Sequence, residues 1–287
     1  DTTQITLLPT FTHRLRTSQI PLPVADTGCK HSTLANVMTP RGLVITVPQN
    51  KLDPLPRPVL LEIFSGKEAR ITQAALRTHM VALPPVDILH DADHDLTKPQ
   101  HLQTLLNTIR TQQPKVTFLA PPCTAYSIAL RNFNKHRPQY IAERQQRDTP
   151  LRLATLAIIK ELISYGGDFI LENPLTSTLF DTDEFEQIRT LCHTSQRQLY
   201  TVELDMCAFP DGLENAARPR KPTKLWTTLP PDVTTPLQHR CAHTHTHILL
   251  RGRTQEGQAR TALAATSPQA FARAVVKTVL LATRSPA

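Results

Sequence analysis

Short apolar runs and longer segments of helical periodicity alternate along much of the chain. The run PVLLEIF at 58–64 is almost entirely apolar and ends at Ser65-Gly66, which is typical of a strand buried on both faces. The segment ARITQAALRTHM at 69–80 repeats apolar residues at helical spacing. This part of the chain therefore predicts a strand, a tight turn and a helix.

The same order recurs further along the chain. Thr149 is expected to cap a later helix that has Pro150 at its first position. Because strands alternate with helices, we predict an α/β fold with a doubly wound, mostly parallel sheet. The further predicted helices cover 101–112, the segment after Thr149, and 183–194, and the further predicted strands cover 84–90 (brief), 115–120, 168–172 and 198–205.

Four regions are predicted from these patterns. Residues 1–56 have weak periodicity and are interpreted as an N-terminal arm with two short strands, of which GLVITV at 42–47 is the clearest. Residues 57–205 form the core. Residues 206–262 are rich in Pro, Thr, Arg and His and predict a small, loop-rich basic lobe. Residues 263–287 predict a C-terminal helix that packs back on the core.

Composition narrows the possible partners. The net charge of +8 in 287 residues favours a polyanion such as nucleic acid, although a diffuse positive surface also serves solubility. Five irregularly spaced cysteines do not form a disulfide framework, so we expect an intracellular protein. No apolar run approaches the ~20 residues that span a bilayer, and there is no secretory signal. The missing initiator Met suggests a processed or excised piece of a longer chain.

Reactive side chains follow the predicted strands. Ligands of open parallel sheets bind beyond the carboxyl ends of the strands, so a glycine turn, several carboxylates and a thiol are expected to meet at one rim. Alone, a free cysteine is more often a small packing residue. The candidates are Phe64-Ser65-Gly66, Asp87, Asp91, Asp95, Pro121-Pro122-Cys123 and Glu172-Asn173-Pro174.

Three blocks in this order resemble a known family. EIFSG at 62–66, APPCTAYS at 120–127 and LENP at 171–174 are similar to motifs of the cytosine-C5 methyltransferases, over about residues 58–205. The nearest type is the divergent one of phages and mobile-element polyproteins, in which ENP replaces ENV. The resemblance implies a class I S-adenosylmethionine-dependent methyltransferase-like fold and methylation of DNA. It also implies a nuclear or host-cytoplasmic location if the chain comes from a mobile element.

The resemblance assigns chemistry to two residues. Cys123 would add as a thiolate to C6 of cytosine, which makes C5 able to attack the methyl group of the cofactor. Glu172 would act at N3 and therefore calls for a partly desolvated carboxyl group. Because a free thiol has a pKa of ~8.5, the site must favour the thiolate, and Arg131, Lys135 and Arg137 are candidates for this effect.

The resemblance also implies a cofactor site. The turn Phe64-Ser65-Gly66 would pass under the methionine moiety, while Asp87 would bind the ribose and Asp95 the adenine amine. Both carboxylates have an alternative interpretation as solvent-facing loop residues. Pro121, which fixes the approach of the loop, is a further cofactor-binding candidate. Lys67 and Glu68 replace glycines of the family and put the shape of this pocket in question.

Nucleic-acid contacts are expected mainly from the basic lobe. The enzyme would extrude its target base from a duplex or act on single strands. Two alternatives stay open: a catalytically inactive nucleic-acid-binding module of a mobile-element or viral polyprotein, and an RNA cytosine-C5 methyltransferase. The alternative interpretation of the basic lobe is a solvated loop. The candidate contact residues are Ser127, Arg218, Arg220, Lys221 and Lys224.

Two further motifs are weaker. CAHTHTH at 241–247 contains metal-ligand types, and alternation on a strand would place its three histidines on one face. With Cys207 joining through space, Cys241, His245 and His247 would bind zinc, and the alternative is a polar, solvated strand. The triplet Asp26-Thr27-Gly28 matches retroviral-type aspartic proteases and is interpreted as chance or as a relic of a polyprotein.

Overall fold

The computed structural model describes residues 59–127, 137–211, 217–250, 252–257 and 260–284, together with two short strands nearer the N-terminus. The chain divides into two compact units, Asp1–Pro56 and Arg57–Ala287. In the first unit, strand β1 (Leu34–Met38) pairs antiparallel with β2 (Val44–Pro48), so the clearest predicted strand is present. The triplet at 26–28 lies outside the described residues.

A five-stranded mixed sheet forms the centre of the second unit, in the order β3-β4-β5-β8-β6. Strands β3, β4 and β5 are mutually parallel, and β8 is antiparallel to both β5 and β6. Four strands therefore point one way and β8 points the other. The strands are β3 (Leu60–Ile63), β4 (Val116–Leu119), β5 (Asp168–Pro174), β6 (Tyr200–Asp205) and β8 (Pro222–Thr227), beside a parallel pair of β7 (Arg218–Pro219) and β9 (His247–Ile248).

Five described helices cover this sheet on both faces. Successive residues of β5 point into different apolar cores: Ile170 packs in one, and Phe169 and Leu171 pack in the other. The first core includes residues of α1 and α5, and the second includes residues of α2, α3 and α4. The predicted α/β, doubly wound and mostly parallel fold is thus confirmed. The helices are α1 (Arg70–Arg77), α2 (Pro99–Gln112), α3 (Pro138–Ser164), α4 (Asp183–Thr194) and α5 (Gln269–Arg284).

The brief strand expected at 84–90 is reduced to two isolated parallel bridges beside β3. Leu60 pairs with Ala82 and Ile63 pairs with Val86. The chain then leaves the edge of the sheet at Asp87, whose backbone carbonyl accepts the N–H of His90 at 2.9 Å. This segment still extends the sheet edge far enough to place Asp87 next to the end of β3.

The region 206–262 is not a lobe separate from the sheet. Its residues 222–227 form β8, in which Leu225 and Trp226 are buried. The strand begins with a proline and carries a lysine, so its sequence resembles that of the basic loop before it. The alternation of buried Thr223 and Leu225 with partly exposed Lys224 was the available signal for a strand. The other region boundaries stay predictions.

The expected start of a helix at Thr149-Pro150 is wrong. Helix α3 begins at Pro138 and contains Pro150 in its interior. A proline removes a backbone N–H from a helix and usually bends it. Shortly before Pro150 the carbonyl of Gln145 accepts hydrogen bonds from Thr149 Oγ1 at 3.2 Å and Arg152 Nη1 at 2.8 Å, so side-chain donors converge on this part of the helix.

The C-terminal helix follows the prediction. Phe271, Val275 and Val279 of α5 are fully buried and join the core cluster that contains Leu60 and Ile170. Among the described helices, none combines the length and the apolar character that crossing a membrane requires.

Candidate active site

Cys123 lies in the loop that follows β4. It begins a single turn of 3-10 helix, Thr124–Tyr126, and its carbonyl accepts the N–H of Tyr126 at 2.9 Å. The side chain is half-buried. The two preceding prolines restrict the backbone before the thiol, so the loop enters the turn in a fixed direction.

Helices α3 and α4 anchor this turn. Gln145 Nε2 donates to the carbonyl of Ala125 at 3.4 Å, and the Tyr126 hydroxyl donates to the carbonyl of Gln145 at 3.3 Å. The Arg152 guanidinium donates to the Tyr126 hydroxyl and pairs with Glu184 Oε2 at 2.8 Å. The part of α3 that contains Gln145 and Arg152 therefore holds the loop that carries Cys123.

Asn173 joins this loop to β5. Its side chain is 1% exposed, and Nδ2 donates to the carbonyl of Pro121 at 2.9 Å and to that of Glu172 at 3.1 Å. The buried Oδ1 accepts no hydrogen bond from the described residues. Asn173 thus fixes the separation of the two loops that carry Cys123 and Glu172.

Glu172 is a buried carboxylate with a cationic neighbour. It is 6% exposed, and its Oε1 lies 3.2 Å from Lys221 Nζ. This oxygen accepts no hydrogen bond from the described residues, so the contact is an ion pair without hydrogen-bond geometry. The desolvated setting is the one expected for this carboxyl group.

The charges of Glu172 and Lys221 both reach Cys123. Burial raises the pKa of the Cys123 thiol, the Glu172 carboxylate raises it further, and Lys221 lowers it. Thiol, carboxylate and ammonium therefore lie in one neighbourhood. Lys221 provides a favourable charge that the sequence did not indicate. Of the suggested downstream cations, Arg137 is exposed at the start of α3, and residues 131 and 135 lie outside the described residues, so their effect stays a prediction.

The turn after β3 leaves open space. Phe64 and Gly66 have φ of 58° and 64°, and the N–H of Gly66 donates to Asp87 Oδ2 at 2.8 Å. A Cβ built on Gly66 would have no heavy atom within 4 Å. Lys67 and Glu68 are exposed, so they do not fill this space. The turn therefore leaves the space around Gly66 open, and its role in cofactor binding stays a prediction.

The two predicted cofactor carboxylates differ. Asp87 accepts the N–H of Gly66 and, through Oδ1, that of Leu89 at 2.9 Å, and each oxygen keeps a lone pair for a ribose hydroxyl. Asp95 Oδ1 accepts hydrogen bonds from the Thr97 hydroxyl at 2.6 Å and from the Thr97 N–H at 3.1 Å. The Thr97 hydroxyl holds the pKa of Asp95 below its usual value despite a small opposing effect of burial. Asp95 thus organises the approach to α2, and its adenine role stays a prediction.

Glu62 was not anticipated from the sequence. It is 3% exposed, and its Oε2 accepts the N–H and the hydroxyl of Thr72, both at 2.7 Å. Burial raises the pKa of this carboxyl against these hydrogen bonds. Glu62 ties β3 to the first turn of α1 and so shapes the turn between them. A single glutamate inside the apolar run PVLLEIF was the available signal.

The five nucleic-acid candidates do not form one uniform basic surface. Lys221 faces Glu172, and Lys224 Nζ lies 4.8 Å from the centre of the Phe180 ring. Arg218 Nη1 donates to the carbonyl of Cys207 at 3.1 Å, and Arg220 is exposed. The remaining candidate, Ser127, is half-buried, with its Oγ 3.5 Å from the carbonyl of Thr124. Arg220 is the candidate placed best for an outside partner.

A cavity of about 380 Å³ lies beside Lys221. Two arginines, Arg70 and Arg218, line it with Lys221, and Asp211 lies among them. Arg70 Nη1 also donates to the carbonyl of Ser267 at 2.8 Å, which joins the start of α1 to the segment before α5. The excess of cations suits an anionic group.

Four predicted metal-ligand residues meet in space. One ligand atom from each of Cys207, Cys241, His245 and His247 lies within 4.8 Å of the others. The expected strand with three histidines on one face is wrong, because only His247–Ile248 is extended and His243 has φ of 57°. His243 is not among the four.

No protein-family model and no curated protein matches the chain. Among solved structures, an Entamoeba histolytica methyltransferase, EhMeth, is 13% identical with a TM-score of 0.37, over 61% of this chain and 54% of its own. A Spodoptera frugiperda DNMT2 variant is 11% identical with a TM-score of 0.36, over 67% and 55%. The chain thus spans about half the length of each. Scores of this size carry no argument, so function must be argued from the site's own contacts.

Proposed function

We propose that this chain is an S-adenosylmethionine-dependent cytosine-C5 methyltransferase that acts on DNA through Cys123. The observation that supports this most is the meeting of a half-buried thiol, a buried carboxylate and an ammonium group at the ends of β4 and β5. The three sequence blocks that resemble the family contribute the thiol, the carboxylate and the neighbouring glycine turn.

The residues would act on the base in order. The Cys123 sulfur bonds to C6 of cytosine, and negative charge develops on the ring. Glu172 faces N3 and shares a proton with it, which relieves that charge. C5 of the adduct would then take the methyl group that S-adenosylmethionine supplies, with S-adenosylhomocysteine as the other product. Loss of the C5 proton to solvent and elimination of the sulfur would restore the thiolate and release the methylated base. Asn173, which fixes both loops, positions these groups.

The cofactor would lie over the turn after β3. S-adenosylmethionine supplies an electrophilic methyl group when bound. The open space at Gly66 would accept its methionine part, and Asp87 would accept hydrogen bonds from ribose hydroxyls. Because Lys221 borders both Glu172 and the cation-lined cavity, a base held at Glu172 would direct its phosphodiester toward that cavity.

Covalent trapping tests this proposal. The full chain is incubated with S-adenosylmethionine and oligonucleotides that contain 5-fluorocytosine, whose fluorine blocks the final elimination. We expect an adduct on the peptide that contains Cys123, no adduct with Cys123→Ser, and an unchanged adduct with the control Cys192→Ser. Glu172→Gln should slow adduct formation by about 10²–10⁴-fold.

The outcome also separates the alternatives. Adducts with single-stranded RNA but not with DNA would assign an RNA substrate. Calorimetric titration that shows no S-adenosylmethionine binding, together with retained nucleic-acid binding, would assign an inactive binding module instead.

A further inference from the structure

Cys207, Cys241, His245 and His247 form a cluster that the proposed methyl transfer does not use. Cys207 lies in the 3-10 turn Met206–Ala208 directly after β6, and the other three residues lie in the segment that leads to and begins β9. The ligand types therefore come from two separate segments of chain, as a compact metal site requires.

Three of the six distances between the ligand atoms match tetrahedral coordination. His247 Nε2 lies 3.5 Å from Cys207 Sγ and 3.3 Å from Cys241 Sγ, and His245 Nε2 lies 3.8 Å from Cys241 Sγ. Zinc bonds of about 2.3 Å to sulfur and about 2.0–2.1 Å to nitrogen, at a tetrahedral angle, place these atoms about 3.5 Å apart.

Backbone hydrogen bonds fix the loop that carries Cys241. The N–H of His243 donates to Cys241 Sγ at 3.3 Å, which the left-handed backbone of His243 makes possible. The N–H of Cys241 donates to Asp205 Oδ2 at 3.0 Å. Hydrogen bonds of this kind orient metal ligands and tune them.

We infer that these four residues bind one structural zinc ion. A set of two thiolates and two imidazoles in a closed tetrahedron is typical of structural zinc. The ion would join the end of β6 to the segment before β9. Since β9 pairs with β7 through Arg218 and His247, and Lys221 follows β7, the ion would also hold the approach of Lys221 to Glu172.

Metal analysis of the full chain tests the site. Elemental mass spectrometry should find one zinc per chain, and replacement by Co²⁺ should give the visible absorption of tetrahedral cobalt with thiolate charge-transfer bands. Cys207→Ala and Cys241→Ala should each lose most of the metal. The matched controls are Cys192→Ala, a buried cysteine outside the cluster, and His243→Ala, a histidine beside it, and both should keep the metal.

Two further measurements keep the test decisive if a variant fails to fold. His247→Cys, which offers another ligand type, should retain zinc and shift the cobalt spectrum toward three thiolates. Chelator added to the unaltered chain should lower its Tm by several degrees, and zinc should restore it. Absence of zinc, unchanged zinc in both alanine variants, or a Cys207–Cys241 disulfide in protein isolated without reductant would each overturn the inference. None of these readouts depends on methyl transfer.

Discussion

The Cys123 thiol is subject to opposing electrostatic effects. Burial and the Glu172 carboxylate both raise its pKa, and the Lys221 ammonium lowers it. With a raised pKa the sulfur is mostly protonated at neutral pH, and the protonated form is a weak nucleophile. Besides burial, the charge of Glu172 therefore affects the reactivity of a sulfur in the loop that follows the neighbouring strand β4.

Alkylation of Cys123 measures this control. The rate with iodoacetamide should rise with pH, because only the thiolate reacts. Glu172→Gln removes the charge that raises the thiol pKa and leaves Lys221 in place, so the midpoint should move to lower pH. Mass spectrometry of the Cys123 peptide gives the rate, and Glu161→Gln, on the outer part of α3, serves as control. If Glu172→Gln leaves the pH midpoint of Cys123 alkylation unchanged, the Glu172 carboxylate does not influence the thiol pKa.

The sequence identified Cys123 and Glu172 because each sits in a short motif that directly follows an apolar strand. It did not identify the role of Lys221. The run RPRKPTK contains four cations, and nothing in their order shows which one turns inward. The position of Lys221 depends on the pairing of β8 with β5, where Glu172 lies opposite Leu225, and that pairing joins segments about 50 residues apart.

At the scale of elements, the part of α3 just before and after Pro150 makes the contacts that hold the candidate site. The carbonyl of Gln145 accepts from Thr149, Arg152 and Tyr126 at this point. Arg152 then pairs with Glu184 of α4, and both side chains are largely buried. This part of α3 thus connects two helices with the loop that carries Cys123.

Breaking this connection should destabilise the domain. Arg152→Met leaves Glu184 buried without its partner, so we expect a loss of about 2–3 kcal/mol in the free energy of unfolding by urea. The control is Arg110→Met, which breaks an ion pair with Glu161 in which the arginine is exposed, and it should cost about 0–1 kcal/mol. Equal losses in the two variants would contradict the role of Arg152.

The effect of Arg152→Met should also depend on pH. Burial alone would raise the pKa of Glu184, but hydrogen bonds from Arg152 hold it below the ordinary 4.5. A lowered carboxyl pKa contributes stability that is fully present above the ordinary pKa and is lost as the pH falls through the folded value. The difference in stability between the two proteins should therefore shrink below about pH 4.5.

Strands and helices could be predicted from the sequence where the local pattern of apolar residues agrees with the position of the segment in the folded domain. The strands at 60–63, 116–119 and 168–174 have apolar runs that only a buried strand explains. The start of α3 was not predictable, because Pro150 is a strong local signal for a helix start, whereas the helix already begins at Pro138. Likewise β8 gains its stability from neighbours on both sides rather than from its own composition.

At the scale of the whole molecule, the charge of +8 should make nucleic-acid binding strongly dependent on salt. The described cations are used unequally, since Arg220 is exposed and Lys224 lies over Phe180. Net charge therefore overstates the number of cations near the site that are available to phosphates.

A pair of variants measures this difference. Arg220→Ala should weaken binding to duplex DNA and reduce the slope of log K against log salt by about 0.9, the value for one phosphate contact. Lys224→Ala should leave the slope nearly unchanged, because its ammonium stacks on an aromatic ring. Fluorescence anisotropy over a range of salt concentrations gives both slopes. An equal reduction by the two variants would place Lys224 at the DNA surface.

The position of β8 has a consequence for how the chain is made. A ribosome adds residues 222–227 only after every other strand of the main sheet has been synthesised, yet these residues lie between β5 and β6. Until then β5 has a bare hydrogen-bonding edge, and β6 has no partner in the sheet. The nascent chain therefore passes through an interval in which an aggregation-prone edge is exposed, and completion of the sheet waits for contacts of long sequence separation, which form slowly.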